Sequence, residues 1–422
     1  MKCPADFDFF DPAVQSDPLE FLATLREQAP VYREPRTGAY IVSHAKDIRY
    51  VAEHPELFSN IIDPTKFLVC QGLSLAEKDP EVAAILRSKA WLVPHTLLLT
   101  DPPVHMRYRR LALHVLSPKA VKKLVPFIEA QVQRFIQPFD SGAPIDFVPN
   151  FCERVPLSII LHFIRAPDSD FDRINRWAHQ FFSTEMGQGT RAEYLRTIDA
   201  MCELFNYVAQ RIEAVRQRPD GSLIDDLIHA HESTGDEPLT LEELLSIFQV
   251  FLMAGHDTTR QSLANGMRLL STHPQLFARL QQHPEHVGSF IEEVIRLYPP
   301  ANITSRIAAV DTELAGVAIP AGATVFVAWG SGNRDPESFA DPERFKCPID
   351  AGIEHLGFGH GQHFCVGNRL ARTTLATAFT AFLERYSAIS MAIPEDQLRY
   401  EPTINLRALV SLPIRCSLRA RT

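Results

Sequence analysis

Several features that mark special classes of chain are scarce or missing. There are only seven cysteines in 422 residues, at positions 3, 70, 152, 202, 347, 365 and 416. An odd number without CxxC spacing supports neither a disulfide framework nor a zinc cage, and points to a reduced, cytoplasmic protein. No run of lysine or arginine occurs, and 42 basic against 51 acidic side chains leave a net charge of −9. That excludes a general nucleic-acid binder, which needs a concentrated basic surface. The first ten residues lack the basic segment and apolar stretch of a signal peptide. The longest charge-free stretch, Leu314 to Asn333, has the length of a bilayer span but holds four glycines and Pro320 and alternates like a strand. It reads as a hairpin, with no membrane anchor. No Gly/Ser linker or internal repeat is present. At 45% hydrophobic and 22% charged, the composition is that of a soluble globular protein.

Proline is unevenly spread. Residues 1–167 hold 18 prolines and residues 299–422 hold nine, but residues 168–298 hold four. Because proline breaks helix interiors, the middle block reads as long helices. Within it, Thr240-Leu241-Glu242-Glu243 is a capping box, with a hydroxyl at the cap and a carboxylate three residues on. The helix it starts runs through an apolar stretch toward Thr272, before Pro274. A helix apolar on every face is buried on all sides, so this one is the central helix. Two hairpins are expected: Val31–Tyr32 with Tyr40–Val42 across residues 35–38, and Val317–Ile319 with Thr324–Trp329 across Pro320-Ala321-Gly322. The expected fold class is mainly α with a minor, largely antiparallel β-rich region. Helices concentrate at about 100–298 and 365–386, and strands at about 31–43 and 302–329.

The segment from His355 to Arg372 reads HLGFGHGQHFCVGNRLAR. Phe358, Gly361, Cys365 and Gly367 stand in it as FxxGxxxCxG, a pattern this composition produces by chance on the order of one time in a thousand. A lone cysteine among apolar residues is more often an inert core residue than a ligand. The surrounding glycines reverse those odds: those at 357, 359 and 361 allow close backbone approach to a flat ligand. Cys365 also opens a helical run at 366–386, where a helix N-terminus favours a thiolate.

This segment closely resembles the haem-binding loop of the cytochrome P450 family, the haem-thiolate monooxygenases. The resemblance implies haem b as cofactor, Cys365 as the axial iron ligand, and Phe358, Gly359 and Gly367 beside the haem. Three further segments resemble family signatures in the expected order. In Ala254-Gly255-His256-Asp257-Thr258-Thr259, on the central helix, Asp257 and Thr258 follow thirteen residues without a formal charge. The resemblance makes Ala254 a haem contact, Thr258 the alcohol set against dioxygen, Asp257 the acid that relays protons, and Gly255 the point where the helix bulges open. Glu293-Val294-Ile295-Arg296 matches ExxR; alone such a pair is ordinary on helix surfaces. With Arg344 from the later Asp341-Pro342-Glu343-Arg344-Phe345 it would buttress the core. His105 and Arg109, four apart on one helix face, match HxxxR, and with Arg306 and His363 would grip the haem propionates.

Two departures stand out: Thr374 occupies a place often held by Glu, and residues 346–350 lack the arginine common in bacterial members. The resemblance spans nearly the whole chain. Length alone suggests two or three domains of about 150 residues, but four signatures converging on one haem imply one domain over 1–422.

The function implied is a soluble, bacterial-type monooxygenase, most simply a hydroxylase, that inserts one atom of O2 into a hydrophobic organic substrate. Electrons would come from a separate ferredoxin and its reductase, docking at a basic patch of Arg107, Arg110, Arg369 and Arg372; solvated, scattered charges are the alternative reading of those residues. The protein would act as a monomer, without nucleic acid. Family geometry places Phe182, Val250, Met253, Ala301, Asn302, Ile303, Ile404 and Asn405 around the substrate. A peroxide-using peroxygenase of the same fold and a non-catalytic haem sensor or carrier remain as alternatives.

Overall fold

The computed structural model describes residues 2–61, 96–185, 190–348, 354–403 and 408–420. The helices that position the site are α1 (Ala45–Glu53), α2 (Val104–Val115), α3 (Pro118–Ile136), α4 (Arg154–Phe163), α5 (Phe171–Glu185), α6 (Arg191–Gln217), α7 (Leu241–Thr272), α8 (Pro274–Gln282), α9 (Val287–Leu297) and α10 (Asn368–Arg385). The proline-poor block is mostly helix among its described residues, as its composition dictates. Two of its long helices start at reciprocal caps. The arrangement of hydroxyl and carboxylate is the same in each: Thr190 with Glu193 begins α6, and Thr240 with Glu243 begins α7. At the second, the Glu243 backbone N–H donates to Thr240 Oγ1 at 3.2 Å and the Thr240 N–H to Glu243 Oε2 at 2.9 Å.

α7 is the central element. Its C-terminal half, from Thr259 to Ser271, is buried on every face, and it packs on α4, α9 and α10. The approach to α10 is so close that a Cβ on Gly266 would lie 2.3 Å from Phe379 Cζ. Around these helices Phe139, Phe147, Phe151 and Phe382 interleave edge-to-face and stacked, with centroids 5.0–5.8 Å apart. Aromatic burial of this kind dominates core energetics.

The strands are β1 (Val31–Arg33), β2 (Tyr40–Val42), β3 (Phe58–Ser59), β4 (Ile145–Asp146), β5 (Thr304–Ala308), β6 (Thr312–Leu314), β7 (Val317–Ile319), β8 (Thr324–Val327), β9 (Tyr386–Met391) and β10 (Pro413–Leu418). They form sheets ordered β1-β2-β8-β5-β3, β4-β10-β9 and β6-β7. The first expected hairpin is β1–β2. The second has a different partner: β7 pairs with β6, and β8 instead runs parallel to β2 and antiparallel to β5. The reason is the two-residue turn Ala315-Gly316, with φ of 50° and 80°. Positive φ at both central positions gives the twist that closes a tight hairpin. Pro320-Ala321-Gly322 passes the chain on to the larger sheet, and Trp329 opens a short helix rather than ending a strand.

Candidate functional site

Cys365 lies three residues before α10, on a loop tied to two helices. Its N–H donates to the Phe358 carbonyl at 2.9 Å, and the Asn368 amide donates to its own carbonyl. The glycines also meet requirements of the protein itself. A Cβ on Gly357 would sit 2.5 Å from Ile295 Cγ2 of α9, and one on Gly361 2.5 Å from the Ala52 carbonyl of α1. Gly359 and Gly361 also hold φ of 73° and 67°. Protein-to-protein approach and backbone conformation therefore require these glycines. Burial pushes the Cys365 thiol up, while the Gly367 N–H, Arg109 and Arg372 pull it down.

Behind the loop stands a buried ion pair. Glu293 is 0% exposed; Arg296 Nε and Nη2 each donate to its carboxylate at 2.7 Å, and the Lys346 N–H adds a third bond at 2.8 Å. Arg296 also donates to the carbonyls of Asn333, Pro342 and Arg344. The Asn333 side chain in turn accepts from the Leu356 N–H, so the pair is linked directly to the start of the cysteine loop. Arg344 is a correction: its side chain is exposed and only its carbonyl takes part, because the Lys346 N–H fills the remaining place on Glu293. A contributor missed in the sequence is the neighbouring Glu292. It accepts two bonds from Arg372 of α10 at 2.7 and 2.8 Å and faces His355 at 3.1 Å. Burial pushes its carboxyl up, but Arg372 and His355 outweigh that and hold it at about 2.

A second group collects near Arg109. The His105 and His363 rings stack with centroids 4.0 Å apart. Burial, then Arg109, lowers His105 to about 4; burial, then His105, Arg306 and Arg109, lowers His363 to about 3. Burial lowers the Arg306 guanidinium to about 10, with Asp101 the opposing influence. Asp101 is itself occupied by Ser59 and the Asn60 N–H. His105 Nδ1, His363 Nε2 and Arg306 Nε are buried with no hydrogen-bond partner.

The N-terminal half of α7 is less completely buried. Val250, Ala254 and Thr258, four residues apart, share a helix face and are partly or fully exposed. The Thr258 hydroxyl donates to the Ala254 carbonyl. The helix is continuous through Gly255, so the expected bulge is absent. Asp257 turns the other way, into the interior. Its carboxylate takes a 2.7 Å bond from Arg260 Nε, and the same guanidinium reaches Glu401 at 3.3 Å and Glu153 at 3.8 Å. Burial lowers Arg260, but Asp257 and Glu401 outweigh it and raise it; burial raises Glu401. Arg260 was visible three residues after Asp257, whereas Glu153 and Glu401 arrive from distant segments.

The profile of the family described as "Cytochrome P450" matches residues 171–412. The mycinamicin IV hydroxylase/epoxidase of Micromonospora griseorubida is 32% identical over 396 residues, covering 92% of this chain and 93% of that protein. The 6-deoxyerythronolide B hydroxylase of Saccharopolyspora erythraea is 31% identical, covering 75% and 76%. This chain belongs to the cytochrome P450 family. Among solved structures, a mutant of P450 EryK in complex with erythromycin B superposes with a TM-score of 0.81 at 26% identity, covering 97% of this chain and 99% of that one. The protein is thus a P450 monooxygenase carrying haem b, and its fold is the P450 fold.

The residues present fit that cofactor. Buried, unpartnered donors on His105, Arg306 and His363, with Arg109 beside them, suit two carboxylates. The thiol at Cys365 is of the kind that a metal cation deprotonates outright. Some expected pocket residues lie elsewhere. Ile303 is buried in a cluster with Phe9, Phe21 and Phe326, since the chain there enters β5. Asn302 is buried against Gly330, whose N–H donates to its carbonyl at 3.1 Å. Val250, Met253 and Ala301 are partly accessible. Phe182 falls on α5, with its backbone alone described, and Ile404 and Asn405 lie outside the described residues. The basic patch is largely cancelled: Arg107 pairs with Glu243, Arg110 with Asp236 and Arg372 with Glu292.

Proposed function

We propose that this P450 hydroxylates a hydrophobic organic substrate with electrons from a separate ferredoxin and its reductase, and that the 422 residues form one monomeric domain. The observation that carries the reading is the pairing of Cys365 on its braced loop with the buried, unpartnered donors around Arg306. When bound, haem supplies the activation of O2 that puts one oxygen atom into the substrate and reduces the other to water.

The chain's own residues have the remaining tasks. Cys365 provides the thiolate, which Gly367, Arg109 and Arg372 favour against burial. His105, Arg109, Arg306 and His363 hold the two propionates. Glu293, Arg296 and Glu292 fix the loop's position from α9. Val250, Met253, Ala254 and Ala301 offer the substrate an apolar wall, which excludes water. Thr258 presents a hydroxyl on the accessible face of α7. Asp257 sits one residue before it and is held by Arg260, so proton delivery requires the carboxylate to exchange between Arg260 and the Thr258 side of the helix.

The test has two parts. The reduced carbonyl form should show the strongly red-shifted Soret band of thiolate ligation, and Cys365→Ala should lose it. With a reconstituted ferredoxin chain, Thr258→Ala should consume NAD(P)H but divert it to peroxide, with product falling by about 100- to 10,000-fold, the range of a lost positioned proton-transfer group. Unchanged coupling would remove Thr258 from the proton path and favour the peroxygenase reading. Mycinamicin IV and 6-deoxyerythronolide B, after which relatives are named, belong at the head of the compound set for spectral titration.

A further inference from the structure

Among the described residues, donor atoms of His283, Glu285 and His286 all lie within 4.8 Å of one another. They occupy the turn between α8 and α9, just ahead of the helix that carries Glu292, Glu293 and Arg296. The backbone there is fixed. The His283 N–H closes α8 onto the Arg279 carbonyl, Pro284 opens a single 3-10 turn, and the His286 N–H donates back to the His283 carbonyl at 3.0 Å. In a 3-10 turn the side chains at i and i+3 eclipse, which brings both imidazoles to the same side. Their centroids are 5.3 Å apart and their planes differ by 26°.

The carboxylate completes the group. His283 Nδ1 lies 3.1 Å from Glu285 Oε1. The Glu285 backbone N–H and then His283 hold this carboxyl below its ordinary range, so it is an anion at neutral pH. His286 Nδ1 is shielded from solvent and has no hydrogen-bond partner. Two imidazoles and one carboxylate make a donor set found at zinc, with a fourth, tetrahedral position left for water. Nitrogen ligands of this type select zinc, nickel or copper over magnesium and calcium, which take oxygen.

We propose that His283, Glu285 and His286 form a divalent transition-metal site, of the zinc type, on the turn that joins α8 to α9. The metal takes its place between His283 and Glu285 and draws in His286, with rotation of side chains and no change of backbone. Its placement is consequential: His286 immediately precedes α9, the helix that carries Glu292, Glu293 and Arg296. A bound ion would pin the start of that helix to the end of α8.

The test uses untagged, haem-loaded protein stripped with a chelator and titrated with zinc sulfate against a chromogenic competitor, with magnesium sulfate as the control. The expected result is one tightly held zinc per chain and no competition from magnesium. His283→Ala and His286→Ala should each weaken zinc binding by more than the ~10- to 100-fold that loss of a mere outer-shell partner costs, with the haem spectrum unchanged. Zinc should also raise the melting temperature of the parent and leave that of the doubly substituted protein unmoved. Equal zinc binding by the parent and the double variant would overturn the proposal, and so would a parent that retains none against the competitor.

Discussion

Replacing Glu293 by Gln tests how the P450 braces its cysteine loop. The substitution keeps the shape of the side chain and removes its charge. Three donors converge on this carboxylate: Arg296 Nε, Arg296 Nη2 and the Lys346 N–H. The amide oxygen can keep part of that set, but the amide NH2 must face another donor. The Arg296 guanidinium, with a side chain only 3% exposed, is then a cation without a counter-charge. Breaking a buried pair by removing one partner costs about 3–5 kcal/mol. With a urea slope of roughly 3 kcal/mol per M, the midpoint falls by about 1–1.7 M. Far-UV circular dichroism against urea measures this directly, and the Soret band followed in the same samples reports loss of haem. Because Arg296 reaches Asn333, which holds Leu356, the haem signal should fail at or before the helix signal. A midpoint within about 0.2 M of the parent would refute the argument. So would a double replacement, Glu293→Leu with Arg296→Met, that is no better than Glu293→Gln alone, since removing both charges leaves none buried unpaired.

Other expectations follow from separate features. Gly266→Ala places a methyl where Phe379 stands, and overpacking of this kind costs about 1–3 kcal/mol; thermal denaturation should show the loss, and adding Phe379→Leu should restore part of it. Glu292, held at about 2 in the folded protein against an ordinary 4.5, contributes stability that is complete above pH ~4.5 and disappears as pH falls toward 2. In Arg372→Met the acid branch of the urea midpoint should be shallower over that window; an unchanged slope would remove the pair from the account.

The cysteine loop, the central helix and its cap were legible because each depends on local spacing. A capping box needs only residues three apart, and FxxGxxxCxG is a contiguous signature. Burial of Asp257 could be read from the uncharged run before it. What holds Asp257 could not, since Glu153 and Glu401 come from segments more than a hundred residues to either side. The exchange of partners between β7 and β8 escaped for a related reason. Ala315-Gly316 lacks the Asn or Asp usual in a two-residue hairpin turn, while Pro320-Ala321-Gly322 advertises a turn without pairing the strands beside it. Arg344 was chosen by sequence order, but a backbone N–H took the position its side chain was expected to fill. Ile303 and Asn302 had the right character for a pocket and were claimed by the core, which needs the same residue types.

The glycines at 357 and 361 have a bearing on attempts to refit this protein with another metal macrocycle. What forbids a side chain at these two positions is the close approach of α9 and α1. Their tolerance to substitution is therefore set by the scaffold and would stay the same whatever ring were installed. Redesign has its freedom along Val250, Ala254 and Thr258, where side chains of the central helix remain partly or fully exposed among the described residues.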